Sequence, residues 1–406
     1  MTREIGSCRN EFPSLQRQLN GRSVVYLDGP AGTQVPISVI EAISNYYKTS
    51  NANSHGQFAT ADETDELLEQ VRGKVAAFLG ATDGSTISYG QNMTTLCYSL
   101  AKAIGRICKP GDQILITEMD HEANRGPWLS LKEFGVELIE VKMTPDGVLD
   151  YGDFASKISS KTKLVALGYA SNLTGTINDV HLIRKLTKEV GAYLMIDAVH
   201  FAPHYSIDVQ AIDCDFLICS AYKFYGPHVG LLYSKPGLLD RLPTDHLITQ
   251  EHDAPYKIET GTLNHAAITG VGAAIDFLAS FGEGSELSNQ LEDAFQKITR
   301  HEFNLGKRLH DGLADIEGVM ITGLPFNEMN RTPTVSFYHP KVKAEKMCKL
   351  LGEKGIFAWD GHFYAQRAVE VLGLLEKGGV TRLGVSLYTT EEEIDYTISK
   401  IKGILN

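Results

Sequence analysis

Between about residues 85 and 235, short apolar, β-branched runs alternate with amphipathic stretches. This alternation constrains the fold more than any other feature of the chain. The runs predict strands over Thr86–Tyr89, Gln113–Thr117, Glu137–Val141, Leu164–Leu167, Tyr193–Asp197, Phe216–Ser220 and Gly230–Tyr233. The stretches between them predict helices over Thr94–Ile107, Asn124–Phe134 and Val180–Val190, with a later one over Thr269–Ser280. Such a sequence of elements implies an α/β architecture, a mostly parallel sheet covered on both faces. In such sheets ligands bind beyond the carboxyl ends of the strands. Gly90, Asp120, Ser171, Asp197 and Lys223 all end or follow these runs, so they are expected to converge.

After about residue 282 the pattern changes. One long helix or two are predicted over Ser285–Ile316. Strands Val319–Thr322, Thr334–Tyr338, Ile356–Ala358 and Thr381–Ser386 follow, with helix Lys343–Lys354 among them. A last helix, Glu391–Ile404, begins at Thr390 with acids in its first turn, a capping signature. The expected division is a large α/β domain over 21–282 and a smaller α+β domain made of 1–20 and 283–406. A chain of 406 residues, 43% hydrophobic and 22% charged, is long enough for both.

Composition excludes several classes. The formal net charge of -12 argues against nucleic acid and anionic membranes as partners. The six cysteines form no C-x-x-C pair and no Cys/His cluster with zinc spacing, so no metal is expected. Cys97, Cys214 and Cys219 lie in apolar runs, as reduced buried thiols do. With no signal-like N-terminus and no run of about 18 apolar residues, a cytoplasmic protein is the expectation.

The segment Ser220-Ala221-Tyr222-Lys223 carries the chemistry. A lysine where a buried strand becomes a loop is costly unless it has a task, and a Schiff base with a carbonyl is one. The plain alternative is a surface lysine at a strand end. Upstream, Asp197 ends another apolar run. A lysine and a carboxylate at two buried strand ends suit pyridoxal phosphate, the lysine holding the aldehyde and the acid facing the pyridine nitrogen.

Other residues fit the same cofactor, each with an ordinary alternative. Gly90-Gln91-Asn92-Met93-Thr94 follows a strand and opens a helix. Thr94 and the N–H of Met93 are phosphate candidates, although any capped helix looks similar. Ser220 is a second hydroxyl for that phosphate. His121 stands in a loop where it could stack on the ring. Asn172 could donate to the phenolic oxygen, or serve a turn. His200 could reach the same oxygen or the substrate, or be structural. Arg382, on a predicted strand of the smaller domain, could bind a carboxylate through two parallel hydrogen bonds, or form a surface ion pair.

Taken together these residues resemble the class V aminotransferases of fold type I, and most of all the branch of cysteine desulfurases and selenocysteine lyases. The motifs are Tyr26-Leu27-Asp28-Gly29-Pro30-Ala31-Gly32, Asp120-His121-Glu122-Ala123-Asn124, Ser171-Asn172-Leu173-Thr174-Gly175-Thr176, Asp197-Ala198-Val199-His200, Ser220-Ala221-Tyr222-Lys223, Glu259-Thr260-Gly261-Thr262 and Arg382-Leu383-Gly384-Val385-Ser386. The resemblance implies that Lys223 forms the Schiff base, Asp197 pairs with the pyridine nitrogen, and His121 stacks on the ring and moves protons. It implies that Asn172 contacts the phenolic oxygen and that Thr94 and Ser220 hold the phosphate. It also implies a homodimer with shared sites, in which Thr262 reaches the neighbouring subunit's phosphate, and an amino-acid substrate whose carboxylate is taken by Arg382.

The departures bear on the reaction. Desulfurases carry a catalytic cysteine in a pattern resembling Arg-x-Gly-His-x-Cys, and the matching stretch here is Trp359-Asp360-Gly361-His362-Phe363-Tyr364. The cysteine position falls on Tyr364, and tyrosine forms no persulfide. Tyr222 stands where desulfurases place a histidine that contacts the phosphate, and His200 where they have glutamine. His362 and Tyr364 are then expected at the substrate. The resulting expectation is a pyridoxal-phosphate enzyme acting on the α-amino group or α-carbon of an L-amino acid, as an aminotransferase or β-lyase. Its alternatives are a genuine cysteine desulfurase or selenocysteine lyase, an epimerase, and a non-catalytic cofactor-binding protein.

Overall fold

The computed structural model describes residues 3–327 and 331–406. Its central sheet has seven strands, in the spatial order Ile87–Gly90, Gly230–Ser234, Phe216–Ser220, Tyr193–Asp197, Thr162–Gly168, Gln113–Thr117 and Glu137–Val141. The last five pair in parallel, while Gly230–Ser234 runs antiparallel to both its neighbours. The Phe216–Ser220 and Gly230–Ser234 strands are buried at every residue. This is the reason their sequences read as unbroken apolar runs instead of alternating ones.

Local chemistry sets the helix limits. Asp179 caps Val180–Val190 by accepting from the Leu182 N–H at 2.9 Å, and Gly191 ends that helix at φ 74°. Asn92 opens Met93–Gly105 with a capping box shared with Thr95. The predicted helix Asn124–Phe134 forms only as a short helical turn, Gly126–Leu129, flanked by 3-10 turns. Gly126 and Pro127 interrupt the backbone ladder there, because proline lacks the N–H. Two further helices, Ile37–Thr49 and Ala59–Leu79, pack on His265–Ala279.

The C-terminal part holds an antiparallel sheet in the order Met320–Thr322, Thr334–Tyr338, Val380–Gly384, Trp359–Gly361. Helices Leu287–Ala314, Ala344–Glu353 and Glu391–Leu405 cover it. The division at 20/21 and 282/283 stands as a proposal, and the N-terminal segment links the two parts. Phe12 packs on Tyr225 and Phe277 of the larger part and on Tyr388 of the smaller one, while Arg9 pairs with Glu393 at 2.8 Å. Val25–Tyr26 then adds a parallel strand beside Ile356–Phe357. Next, Asp28-Gly29-Pro30 crosses the Val380–Gly384 strand so closely that a Cβ on Gly384 would stand 2.1 Å from the Pro30 ring. That crossing brings the Pro30 carbonyl to Lys223.

Candidate active site

The carboxyl ends of the parallel strands open into a cavity of about 690 Å³. Lys223 enters it from a 3-10 turn, Ala221–Lys223, directly after the Phe216–Ser220 strand. Its Nζ donates to the Pro30 carbonyl. Burial, then the nearby Arg382 guanidinium, lowers the ammonium pKa to about 7, against the opposing pull of Asp197. An appreciable share of the amine is therefore neutral near pH 7.

Asp197 ends the adjacent strand and is buried. Its Oδ1 accepts from the Val199 N–H at 2.9 Å. Burial, then the charge of Asp120, lifts its pKa to about 7, while Lys223 acts the other way. Asp120 is itself buried and spans two strand ends. It accepts from the Thr117 N–H at 2.9 Å and from the Gly168 N–H at 2.7 Å. This clamp fixes the start of the loop that carries His121.

The N-terminus of Met93–Gly105 faces the cavity, where both Met93 and Thr94 line the wall. The Met93 N–H donates to the Ser220 Oγ at 2.9 Å, so two of the three anion candidates are bonded to each other. The turn before this helix lies against Gly230, where a Cβ would stand 2.4 Å from the Asn92 carbonyl carbon. Only glycine permits that approach.

His121 is half-buried, and its Nδ1 accepts from the Ala123 N–H at 3.0 Å. The proton of the neutral ring therefore sits on Nε2. Burial, with Lys223 and Arg382 adding to it, lowers its pKa to about 4. His200 is buried on the cavity wall, its Nε2 within 3.0 Å of the Thr334 hydroxyl and 3.1 Å of the Thr332 hydroxyl. Tyr222 lines the cavity and stacks on His228 at 4.7 Å between centroids.

A second cavity, of about 560 Å³, continues the first outward and shares Lys223, His121, Asn172, Thr94 and Tyr222 with it. Arg382 lies on its wall, buried at 3% exposure. Its Nη1 donates to the Asn172 carbonyl at 2.9 Å, its Nε has no hydrogen-bond partner, and its guanidinium lies 3.9 Å from the Phe363 ring centre. Asn172 donates from Nδ2 to the Phe363 carbonyl at 2.9 Å and leaves its buried Oδ1 without a partner. Tyr364 lines the mouth at 68% exposure, with its ring 5.5 Å from His121. His362, expected at the substrate, lines neither cavity. Its Nδ1 accepts from the Tyr364 N–H at 3.2 Å and so holds the turn. Thr262 also lines neither cavity. It is exposed, away from Lys223 and Asp197.

No cysteine lines either cavity. Cys348 sits on Ala344–Glu353, where burial pushes its thiol up to about 12. Among the described residues no group of His, Cys, Asp or Glu has a metal-binding arrangement, and no helix is long and apolar enough to cross a membrane.

Asp120, expected to converge with the other strand-end residues, does line the inner cavity. Sequence reasoning missed Tyr98 and Asn178, which line the same cavity and carried no signal beyond helix and turn patterning.

The sequence profile of the Aminotransferase class-V family matches residues 25–397. A probable cysteine desulfurase of Synechocystis sp. is 31% identical over 414 residues, covering 98% of this chain and 94% of the relative. A cysteine desulfurase of Pectobacterium carotovorum is 31% identical over 420 residues, covering 100% and 98%. Among solved structures, a cysteine desulfurase from Escherichia coli superposes with TM-score 0.86 at 28% identity, covering 100% of this chain and 99% of that one. Another, from Thermococcus onnurineus, gives TM-score 0.89 at 27% identity, with coverage of 100% and 98%. With the parallel sheet, the strand-end lysine and aspartate, and the smaller C-terminal part, these matches assign fold type I. The chain belongs to the class V aminotransferase family of pyridoxal-phosphate-dependent enzymes.

Proposed function

We propose that this chain binds pyridoxal phosphate and acts on the α-amino group and α-carbon of an L-amino acid as an aminotransferase or β-lyase. The observation that carries the reading is the pairing of a low-pKa lysine with a cleft that no thiol lines. Family members act on amino acids, and sulfur abstraction through a persulfide needs a thiolate within reach.

The residues fit the cofactor. The inner cavity offers a buried carboxylate at Asp197, an amine at Lys223, a helix N-terminus at Met93–Gly105 and a hydroxyl at Ser220 for a phosphate. Asn172 has a buried oxygen without a partner, and its amide nitrogen carries a second hydrogen beyond the one given to Phe363. When bound, the cofactor supplies an electron sink for negative charge at the substrate's α-carbon. Asp197 would pair with the cofactor's ring nitrogen and favour a positive charge there, because an adjacent carboxylate stabilises the protonated form. Lys223, freed from its carbonyl, has a pKa suited to taking the α-proton near neutral pH. His121 presents an Nε2–H donor and stays neutral through the same range. Arg382 would hold the substrate carboxylate and fix which bond at the α-carbon faces the amine.

We further propose a homodimer in which Thr262 reaches the partner's cofactor, and a cytoplasmic setting. The main test is titration of the purified holoenzyme with cysteine, cysteine sulfinate, selenocysteine, alanine and aspartate, following spectrum and products together. Accumulated pyridoxamine phosphate indicates transamination. Pyruvate or alanine with a released group indicates a lyase. The absence of any spectral response to any amino acid would overturn the reading in favour of a non-catalytic binder.

A second reading, a genuine cysteine desulfurase, is supported by the names of relatives 31% identical over nearly the whole chain. It requires a cysteine-dependent persulfide. Persulfide on the native protein that Cys348→Ala abolishes would support it.

A further inference from the structure

We propose that the outer cavity is a side-chain subsite for an L-amino acid with a large, uncharged, apolar side chain, aromatic above all. The inference rests on the amino-acid reading above and adds the substrate class. With the carboxylate on Arg382 and the amine toward Lys223, the third substituent must take the remaining wall of the outer cavity. That wall is formed by Tyr98, Tyr222, Trp359, Phe363 and Tyr364. Trp359 is the direct cross-strand partner of Arg382, so the indole and the carboxylate receptor project from the same face of the sheet. Tyr98, Trp359 and Tyr364 are large hydrophobic side chains left 48%, 50% and 68% exposed around one mouth. Convergent exposed aromatics of this kind mark a binding site, whereas scattered ones do not.

The wall is also held in place. Phe363 and Tyr364 both adopt left-handed backbone, φ 52° and 58°, which bulky residues rarely do. Such strain persists only where the surroundings over-determine it. Here the Phe363 carbonyl accepts from Asn172 at 2.9 Å, the Tyr364 carbonyl accepts from the Glu122 N–H at 2.7 Å, and the Phe363 ring lies against the Arg382 guanidinium. Carboxylate binding and the aromatic wall therefore share one clamp. The one acid on this wall, Glu122, disfavours an anionic side chain and is already paired with Arg125 at 3.2 Å.

The test is spectral titration of the holoenzyme with L-phenylalanine, L-leucine, L-alanine and L-aspartate, read as dissociation constants so that no turnover is needed. Tryptophan emission gives a second readout, since Trp359 lies at the mouth and Trp128 is fully buried. Phenylalanine should bind at least about tenfold more tightly than alanine, as burial of one large apolar side chain allows. It should also shift the emission. Tyr364→Ala should weaken phenylalanine binding more than alanine binding and so erase most of that advantage, and Trp359→Phe is the milder variant should the first fail to fold. Alanine or aspartate binding as tightly as phenylalanine would overturn the subsite and leave the amino-acid reading standing. A spectrum that no amino acid perturbs would remove both.

Discussion

The inner and outer cavities share Lys223 and His121, yet they are built from different kinds of chain. The inner one is assembled at the ends of adjacent parallel strands, where Asp197, Ser220 and Lys223 each continue a buried run. Its groups are polar, mostly bonded, and shifted in pKa by burial and by one another. The outer one joins two strands of the smaller part, the turn that carries Phe363 and Tyr364, and the Met93–Gly105 helix, and its wall is aromatic and partly open to water. The contrast separates two tasks. A rigid sheet edge suits a bound cofactor, which needs fixed charge, whereas a wall of large side chains can be changed without disturbing that charge.

Substitutions should break the two halves differently. Lys223→Ala should cause the largest loss: activity should fall by about a thousandfold or more, as for loss of a combined nucleophile and base. The visible band of the lysine-bound cofactor should vanish, and a retained band would sink the central assignment. Asp197→Asn should follow, lowering activity by roughly a hundredfold or more, because the carboxylate's charge is removed while its shape is kept. Arg382→Ala should act mainly on the outer half, with a small rise in the pKa of Lys223 as its second effect. An unpaired buried carboxylate costs about 2–5 kcal/mol, so KM for an amino acid should rise by roughly thirtyfold or more. Cofactor affinity should change little, and an unchanged KM would take Arg382 out of the site.

A smaller effect concerns pH. Reconstitution of the apoprotein with pyridoxal phosphate needs the neutral amine of Lys223. With its pKa lowered from 10.5 to about 7, the rate should rise through pH 7 and level off above it. An ordinary lysine would keep the rate rising toward pH 10, and that profile would show that burial does not tune the amine. Cys348→Ala, outside both halves, should change turnover and cofactor absorbance less than twofold.

The strands around the inner cavity were legible because their chemistry is local. Gln113–Thr117, Tyr193–Asp197 and Phe216–Ser220 have the limits their apolar runs predict, since a strand buried on both faces leaves little choice of residue. The short turn Gly126–Leu129 was misread as part of a longer helix because amphipathic spacing hid the effect of Gly126 and Pro127. His362 was expected at the substrate because of its place in a motif, but the turn directs it to the Tyr364 backbone. The strand Trp359–Gly361 had no clear pattern of its own, and pairing with Val380–Gly384 is what forms it.

By itself the sequence determined the α/β class, the strand ends and the lysine–aspartate pair, because each depends on residues adjacent in the chain. Only the tertiary structure decided that the Pro30 carbonyl meets Lys223, that Arg382 lies against Phe363, and that Trp359, Tyr364 and Tyr98 enclose one mouth. Those contacts join segments far apart in sequence. They depend on how the smaller part packs against the sheet edge, which no local periodicity encodes.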